Sequence, residues 1–251
     1  KDTLSIHPQG SASLAGAVFE LTNESRSYVI VNGKEYQPGD VIATLTTDEN
    51  SVTGMDGKSL PYGTYKLTEI KAPEGYLADG KLTETFQIRE NGVIVDLTGK
   101  NRAINNKVIR GDFKLRKIAS STQDQIGYVT FSITSDTTGE SHEFTTDIMG
   151  NYSSAKYKHS KNTNGGGPRD GLWFGRYLDD DGNEQFLEPN DADGTLPYDT
   201  YTIKELYIKD LLGNDITGNN QLLTLKLYVN DETMLIAEDN TKVEDGMIDM
   251  G

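Results

Sequence analysis

The sequence predicts an all-β protein built as two tandem β-sandwich domains, the second with a long insertion. Three observations carry this reading. A phrase occurs twice, Leu60-Pro61-Tyr62-Gly63-Thr64-Tyr65 and Leu196-Pro197-Tyr198-Asp199-Thr200-Tyr201, and each copy reaches a glutamate four residues later, Glu69 and Glu205. Nearly every apolar segment is short and alternates with period two, the signature of a strand with one buried face. Gly, Pro, Asn and Asp punctuate those segments at short intervals, as sandwiches and open barrels require.

The elements follow in order. Strands are expected over 28–32, 41–46, 81–88 and 93–97 in the first copy, and over 113–118, 129–133 and 222–229 in the second. Leu14 to Leu21 matches Ile126 to Ile133, and Thr46-Thr47-Asp48 matches Thr145-Thr146-Asp147, so the copies meet near Ile109-Arg110-Gly111. This gives domains 1–109 and 110–251, with a short joint that favours a semi-rigid tandem. Asp48 lies 12 residues before Leu60, whereas Asp147 lies 49 before Leu196, which places an insertion of about 37 residues within 148–195. The insertion holds Trp173, Phe174 and Tyr177, and both a self-packing flap and a ligand-contact surface fit it.

Composition narrows the function. With 39 acidic and 24 basic side chains the formal charge is −15, which disfavours nucleic acid and anionic membrane surfaces as partners. No apolar run approaches the length of a membrane span. There is no cysteine, so covalent stapling needs other chemistry than disulfides. His7, His142 and His159 are scattered, and no metal or cofactor is expected. Asp179-Asp180-Asp181-Gly182-Asn183-Glu184 has calcium-like content without the spacing of an EF-hand, and reads as a hairpin turn. No nucleophile elbow or phosphate loop is present. The abrupt ends read as those of a piece of a longer chain.

The two glutamates need an explanation. Tyr65, Leu67 and Glu69 share one strand face, as do Tyr201, Ile203 and Glu205, and an unpaired carboxylate on an apolar face is expensive. Phe113, Leu115 and Lys117 also share a face, which sets a lysine on the apolar side of a neighbouring strand. Desolvation favours an uncharged amine and a protonated acid. Such an amine is a nucleophile, and such an acid can polarise a side-chain carbonyl and shuttle protons. The bland alternative is a partly buried salt bridge.

Leu14-Ala15-Gly16-Ala17-Val18-Phe19-Glu20-Leu21, the run from Tyr65-Lys66-Leu67-Thr68-Glu69 to Ala72-Pro73-Glu74-Gly75-Tyr76, and the closing Ala103-Ile104-Asn105-Asn106-Lys107 resemble the Cna B-type domains of Gram-positive surface adhesins and pilins. The second copy lacks the Ala-Pro-x-Gly-Tyr string and is assigned through the repeat. The resemblance implies a prealbumin-like, inverse-Ig sandwich. It also implies an intramolecular isopeptide bond between a first-strand lysine and a last-strand Asn or Asp, promoted by the mid-domain glutamate.

In domain 2 the donor is Lys117 and the promoting acid Glu205. Aligning Phe86 and Ile88 with Leu225 and Leu227 puts the acceptor at Asp245, with Asn240 as the rival. In domain 1 the acceptor is Asn106 and the acid Glu69. The donor is Lys1, unless the domain lacks the bond. The expected protein is a monomeric structural or adhesive stalk module, extracellular and anchored to a cell wall, and not an enzyme. Its partners are neighbouring domains of one long chain and a host matrix or cell-surface ligand. The alternatives are a ligand-binding adhesin region that uses the insertion, or a pilin fragment.

Overall fold

In the computed structural model, residues 2–55, 59–77, 82–97, 104–119, 122–157, 163–190, 192–210, 212–218, 222–230, 234–237 and 247–250 are described, with backbone alone at 156–157, 230, 234–237 and 247–250. The chain divides into two compact units. The first comprises Lys1–Pro8 and Ala12–Lys107, the second Gln9–Ser11 and Val108–Gly251.

The first unit contains β1 (Val18–Asn23), β2 (Val29–Val31), β3 (Lys34–Tyr36), β4 (Val41–Thr46), β5 (Gly63–Lys71) and β6 (Thr83–Ile88). Four of these form an antiparallel sheet in the order β4-β1-β5-β6. β2 and β3 form a hairpin whose two-residue turn, Asn32-Gly33, has positive φ at both positions, the primed turn that matches strand twist. Alternation buries Phe19, Leu21 and Asn23 on β1. Leu21, Val29, Val31, Ile42 and Tyr65 make the core, with Leu67, Phe86 and Ile88 packed against it. Val93–Leu97, expected as a strand, is described without strand pairing.

The second unit contains β7 (Arg110–Gly111), β8 (Lys114–Lys117), β9 (Val129–Ser135), β10 (Ser141–Thr145), β11 (Asn151–Ser153), a one-turn helix α1 (Ser154–Tyr157), β12 (Arg176–Leu178), β13 (Glu184–Phe186), β14 (Leu196–Pro197), β15 (Asp199–Ile208), β16 (Thr224–Asn230), β17 (Met234–Ala237) and β18 (Met247–Met250). Its large sheet, β10-β9-β15-β16-β17, repeats the order of the first unit's sheet and adds β17. A second sheet, β11-β8-β18, holds β18 parallel to β8. An aromatic stack fills the space beside it: Phe144 lies 5.4 Å from Phe113, 5.3 Å from Phe131 and 4.5 Å from Tyr152, ring centre to ring centre.

The repeated phrase has a physical basis. Tyr65 and Tyr201 are fully buried, and each hydroxyl donates to the carbonyl of the proline four residues earlier, Pro61 and Pro197, at 2.8 Å. A buried phenol needs such an acceptor. Burial raises the pKa of both phenols. The variable position inside the phrase also has a cause. A Cβ at Gly63 would lie 2.8 Å from Ser25 Oγ, whereas the buried Asp199 carboxylate accepts from Ser135 Oγ at 2.5 Å and Thr137 Oγ1 at 2.7 Å.

One loop recurs four times. The carboxylates of Asp48, Asp147, Asp179 and Asp210 each accept from the backbone N–H groups two and four residues on. The residue three on has positive φ: Ser51, Gly150, Gly182 and Gly213. This makes Asp179–Glu184 the turn of the β12–β13 hairpin. The Asn183 N–H holds the Asp179 carboxyl below its ordinary value of 3.8, and the Asn214 side chain does so for Asp210. A depressed folded-state pKa contributes stability that is present above the ordinary value and is lost as pH falls through the folded-state value. Carboxyl NMR titration should therefore give both groups midpoints below 3.8, with the two loops loosening only under more acid conditions; midpoints at or above 3.8 would contradict the loop account.

Candidate functional site

Both glutamates sit at the same structural irregularity. Phe19 faces Glu69 while Val18 faces Lys71, so Ile70 is an extra residue on β5. Phe131 faces Glu205 while Thr130 faces Tyr207, so Leu206 is its counterpart on β15. Such a bulge re-aims the neighbouring side chain. Glu69 and Glu205 are each 4% exposed. Their backbones match too, with Glu69 N–H donating to Leu82 O and Glu205 N–H to Leu223 O.

In the first unit, buried Asn106 donates its side-chain amide to both oxygens of Glu69, at 3.0 and 2.9 Å. The Asn106 backbone forms a parallel bridge to Asp2 and accepts from Thr3 N–H at 3.0 Å. Lys107 O accepts from Leu77 N–H at 2.8 Å. The last segment of this unit is thus pinned between its first residues and the loop after β5. Lys1 lies outside the described residues; it is joined directly to Asp2.

In the second unit, Lys117 ends β8 and points inward, 7% exposed. Its Nζ lies 3.5 Å from Glu205 Oε2, longer than a well-formed charge-assisted hydrogen bond. Glu205 Oε2 also accepts from Leu223 N–H at 3.2 Å. Asp245 and Asn240 lie outside the described residues. The alignment that selected Asp245 needs correcting by two positions. Tyr65 pairs with Phe86 and Tyr201 with Leu227, so Phe86 and Ile88 correspond to Leu227 and Val229. The described closing strand is β18, and its Met250 stands opposite Lys117, with Asp249 opposite Arg116.

The insertion is mostly a packing device. Trp173 and Phe174, considered as ligand contacts, are 3% and 1% exposed and cannot form a contact surface. Trp173 Nε1 donates to Leu187 O at 2.9 Å, and Phe174 sets its edge against Tyr201 and His142. Tyr177 is half-buried on β12. Asn151–Ser153, counted within the insertion, pairs with β8 and belongs to the scaffold.

Two groups that sequence reasoning did not single out hold the insertion down. Arg110 is buried, and its guanidinium stacks 4.1 Å from the Trp173 ring. It donates to Gly194 O (2.7 Å), Gln9 Oε1 (2.5 Å), Phe174 O (2.6 Å) and Thr195 O (2.8 Å). Ser11 N–H donates to Tyr198 O at 3.0 Å, so Gln9–Ser11 is built into the second unit. The Glu140 carboxylate accepts from the backbone of Gly175 and Arg176 and pairs with His142 at 2.8 Å. Among the described residues no cluster of His, Cys, Asp and Glu could hold a metal ion.

Residues 4–103 match the family model of a SpaA prealbumin-like fold domain. No curated protein matches the chain. Among solved structures, the chain is similar to the Bacillus anthracis TIE protein, at 18% identity and a TM-score of 0.49, covering 95% of this chain and 30% of that one. It is similar to a streptococcal ancillary pilin at 17% identity and a TM-score of 0.28, covering 88% and 56%. It is also similar to BcpA, the major pilin subunit of Bacillus cereus, at 14% identity and a TM-score of 0.26, covering 94% and 93%. The chain thus spans less than a third of the TIE protein.

Proposed function

We propose that the chain, whose residues 4–103 match the SpaA prealbumin-like fold domain, is a load-bearing stalk segment of a Gram-positive surface protein, with at least its first unit closed by a self-made amide bond. The observation that carries this reading is the buried Asn106 carboxamide, held by both oxygens of Glu69 beside the segment that follows Lys1. No catalytic turnover is proposed.

In the proposed step the uncharged Lys1 Nζ attacks Cγ of Asn106. The new N–C bond forms and the Cγ–Nδ2 bond breaks. Glu69 takes a proton from the amine and delivers one to the departing Nδ2, so the products are a secondary amide and ammonia, with Glu69 unchanged. The same chemistry is proposed for Lys117 with Glu205, towards an Asn or Asp on the closing strand; an aspartate would release water. The proposed setting is extracellular, at a cell wall, with neighbouring domains as partners. Tension that enters at one end of a unit and leaves at the other would then pass through the covalent link between first and last strands, leaving the sheet between them unloaded.

Intact-mass spectrometry of the purified chain tests the proposal. The expected mass is that of the sequence less one ammonia for the first unit, with a further ammonia or water if the second closes. A mass equal to the full sequence would end it for both units.

A further inference from the structure

Three asparagines in the chain precede a glycine: Asn32-Gly33, Asn91-Gly92 and Asn164-Gly165. The pair carries its own chemistry. The glycine nitrogen can reach back to the asparagine carboxamide and close a five-membered ring, since no Cβ on the second residue obstructs the approach. Closure requires the asparagine Cβ and the next nitrogen to eclipse about the Cα–C bond, so the backbone must be free to rotate there. All three asparagines are exposed, and exposure therefore does not rank them. What ranks them is how firmly each is held.

Asn164 is clamped at its side chain. Its Oδ1 accepts from Trp173 N–H at 2.9 Å and its Nδ2 donates to Trp173 O at 3.0 Å, which engages both ends of the carboxamide. Asn32 is clamped through its backbone. With Gly33 it forms the two-residue turn of the β2–β3 hairpin, where Val31 pairs with Lys34. Asn91 has neither restraint. It follows the end of β6, and Val93–Leu97 after it has no strand pairing. Among the described residues, Asn91 and Gly92 form no hydrogen bond. Gly92 has positive φ, with open space where a Cβ would stand. A cavity of about 1000 Å³ opens among Leu67, Phe86, Ile88, Asn91, Gly92 and Val95, so the segment is not packed into place either.

We propose that Asn91 is a self-modification site of the folded chain, where a backbone nitrogen converts a carboxamide without an enzyme. Gly92 N gives up its proton to hydroxide and attacks Asn91 Cγ. The N–Cγ bond forms, the Cγ–Nδ2 bond breaks, and Nδ2 leaves as ammonia after taking a proton from water. A second water then opens the ring at either carbonyl, leaving aspartate or isoaspartate. The product carries a new carboxylate beside Glu90, and isoaspartate adds a methylene to the main chain between β6 and Val93–Leu97. The inference stands apart from the crosslink reading, and mass tells the two reactions apart. The crosslink from an asparagine keeps the loss of ammonia, whereas this conversion replaces the ammonia with water.

The test incubates the purified full chain at neutral and at mildly alkaline pH in water enriched in heavy oxygen. Timed peptide mapping by mass spectrometry follows, with chromatographic separation of aspartate from isoaspartate. The peptide holding Asn91 should convert to both forms, each carrying heavy oxygen, and faster at the higher pH. Asn32 should lag by roughly tenfold or more, because it waits for its paired turn to open, and Asn164 should lag as well. In denaturant the three rates should converge, since the fold no longer separates them. Asn91→Gln should stop conversion at that position and leave the other two unchanged. Asn32 or Asn164 keeping pace with Asn91 in the folded chain would overturn the proposal. So would an Asn91 that stays intact while the denatured chain converts. Aspartate formed without isoaspartate would overturn the ring-closure route.

Discussion

Glu69→Ala is expected to leave the first unit open and to lower its stability by about 4–5 kcal/mol, the chain-entropy value for closing a loop of ~100 residues. The substitution removes the only promoting acid proposed for Asn106 and takes away the acceptor of a buried carboxamide. The lost hydrogen bonds add a further desolvation cost of about 1–3 kcal/mol. For a domain of this size the sum corresponds to a fall in melting temperature of roughly 20 °C or more. The double variant Glu69→Ala/Asn106→Ala separates the two contributions, since it loses the crosslink and removes both members of the buried pair together. Measured against its own sequence mass, either variant should lack the ammonia loss that the first unit shows in wild type. A Glu69→Ala chain that has still lost one ammonia from its first unit, relative to its own sequence mass, would show that the acid has no part in bond formation.

Arg110→Ala should be the most damaging single change in the second unit, at about 3–5 kcal/mol. Four oxygen acceptors, on Gln9, Phe174, Gly194 and Thr195, lose a charged donor, and the Trp173 ring loses the cation stacked on its face. Arg110→Lys should recover little, because a single ammonium cannot reproduce the planar fork that reaches several carbonyls at once. Hydrogen exchange should accelerate first at Phe174, whose N–H is bonded to Thr195 O, and at Ser11. Unchanged exchange at both residues in Arg110→Ala would contradict this account of how the insertion is held.

Much of this was legible in the sequence because alternation is a local property. Tyr65, Glu69, Tyr201, Glu205 and Lys117 all face inward, as period-two reading requires. The meeting of Glu69 with Asn106 came from the resemblance rather than from any spacing. The β-bulges at Ile70 and Leu206 were invisible, since one extra residue leaves no compositional mark. The alignment of Phe86 and Ile88 with Leu225 and Leu227 differs from the strand pairing by two positions for a related reason: Leu225, Leu227 and Val229 are interchangeable by hydrophobicity, and only pairing across β15 and β16 decides between them. Trp173 and Phe174 stay open between packing and binding in the sequence, because aromatics in a long loop fit either role. A buried arginine 64 residues from Phe174 in sequence decides it, and that contact has no local signature. The Gly63/Asp199 difference was the one available clue to a buried polar network, because an otherwise identical phrase changed only where its surroundings did.

The discontinuous make-up of the second unit also bears on its birth. Gln9–Ser11 leave the ribosome well before Tyr198, which receives Ser11 and is 187 residues further along the chain. At ~5–20 residues per second that partner emerges about 10–40 s later. Throughout this interval the nascent strip must stay out of other associations, so synthesis speed and chaperone cover, rather than final stability alone, govern how much of the newly made protein assembles correctly.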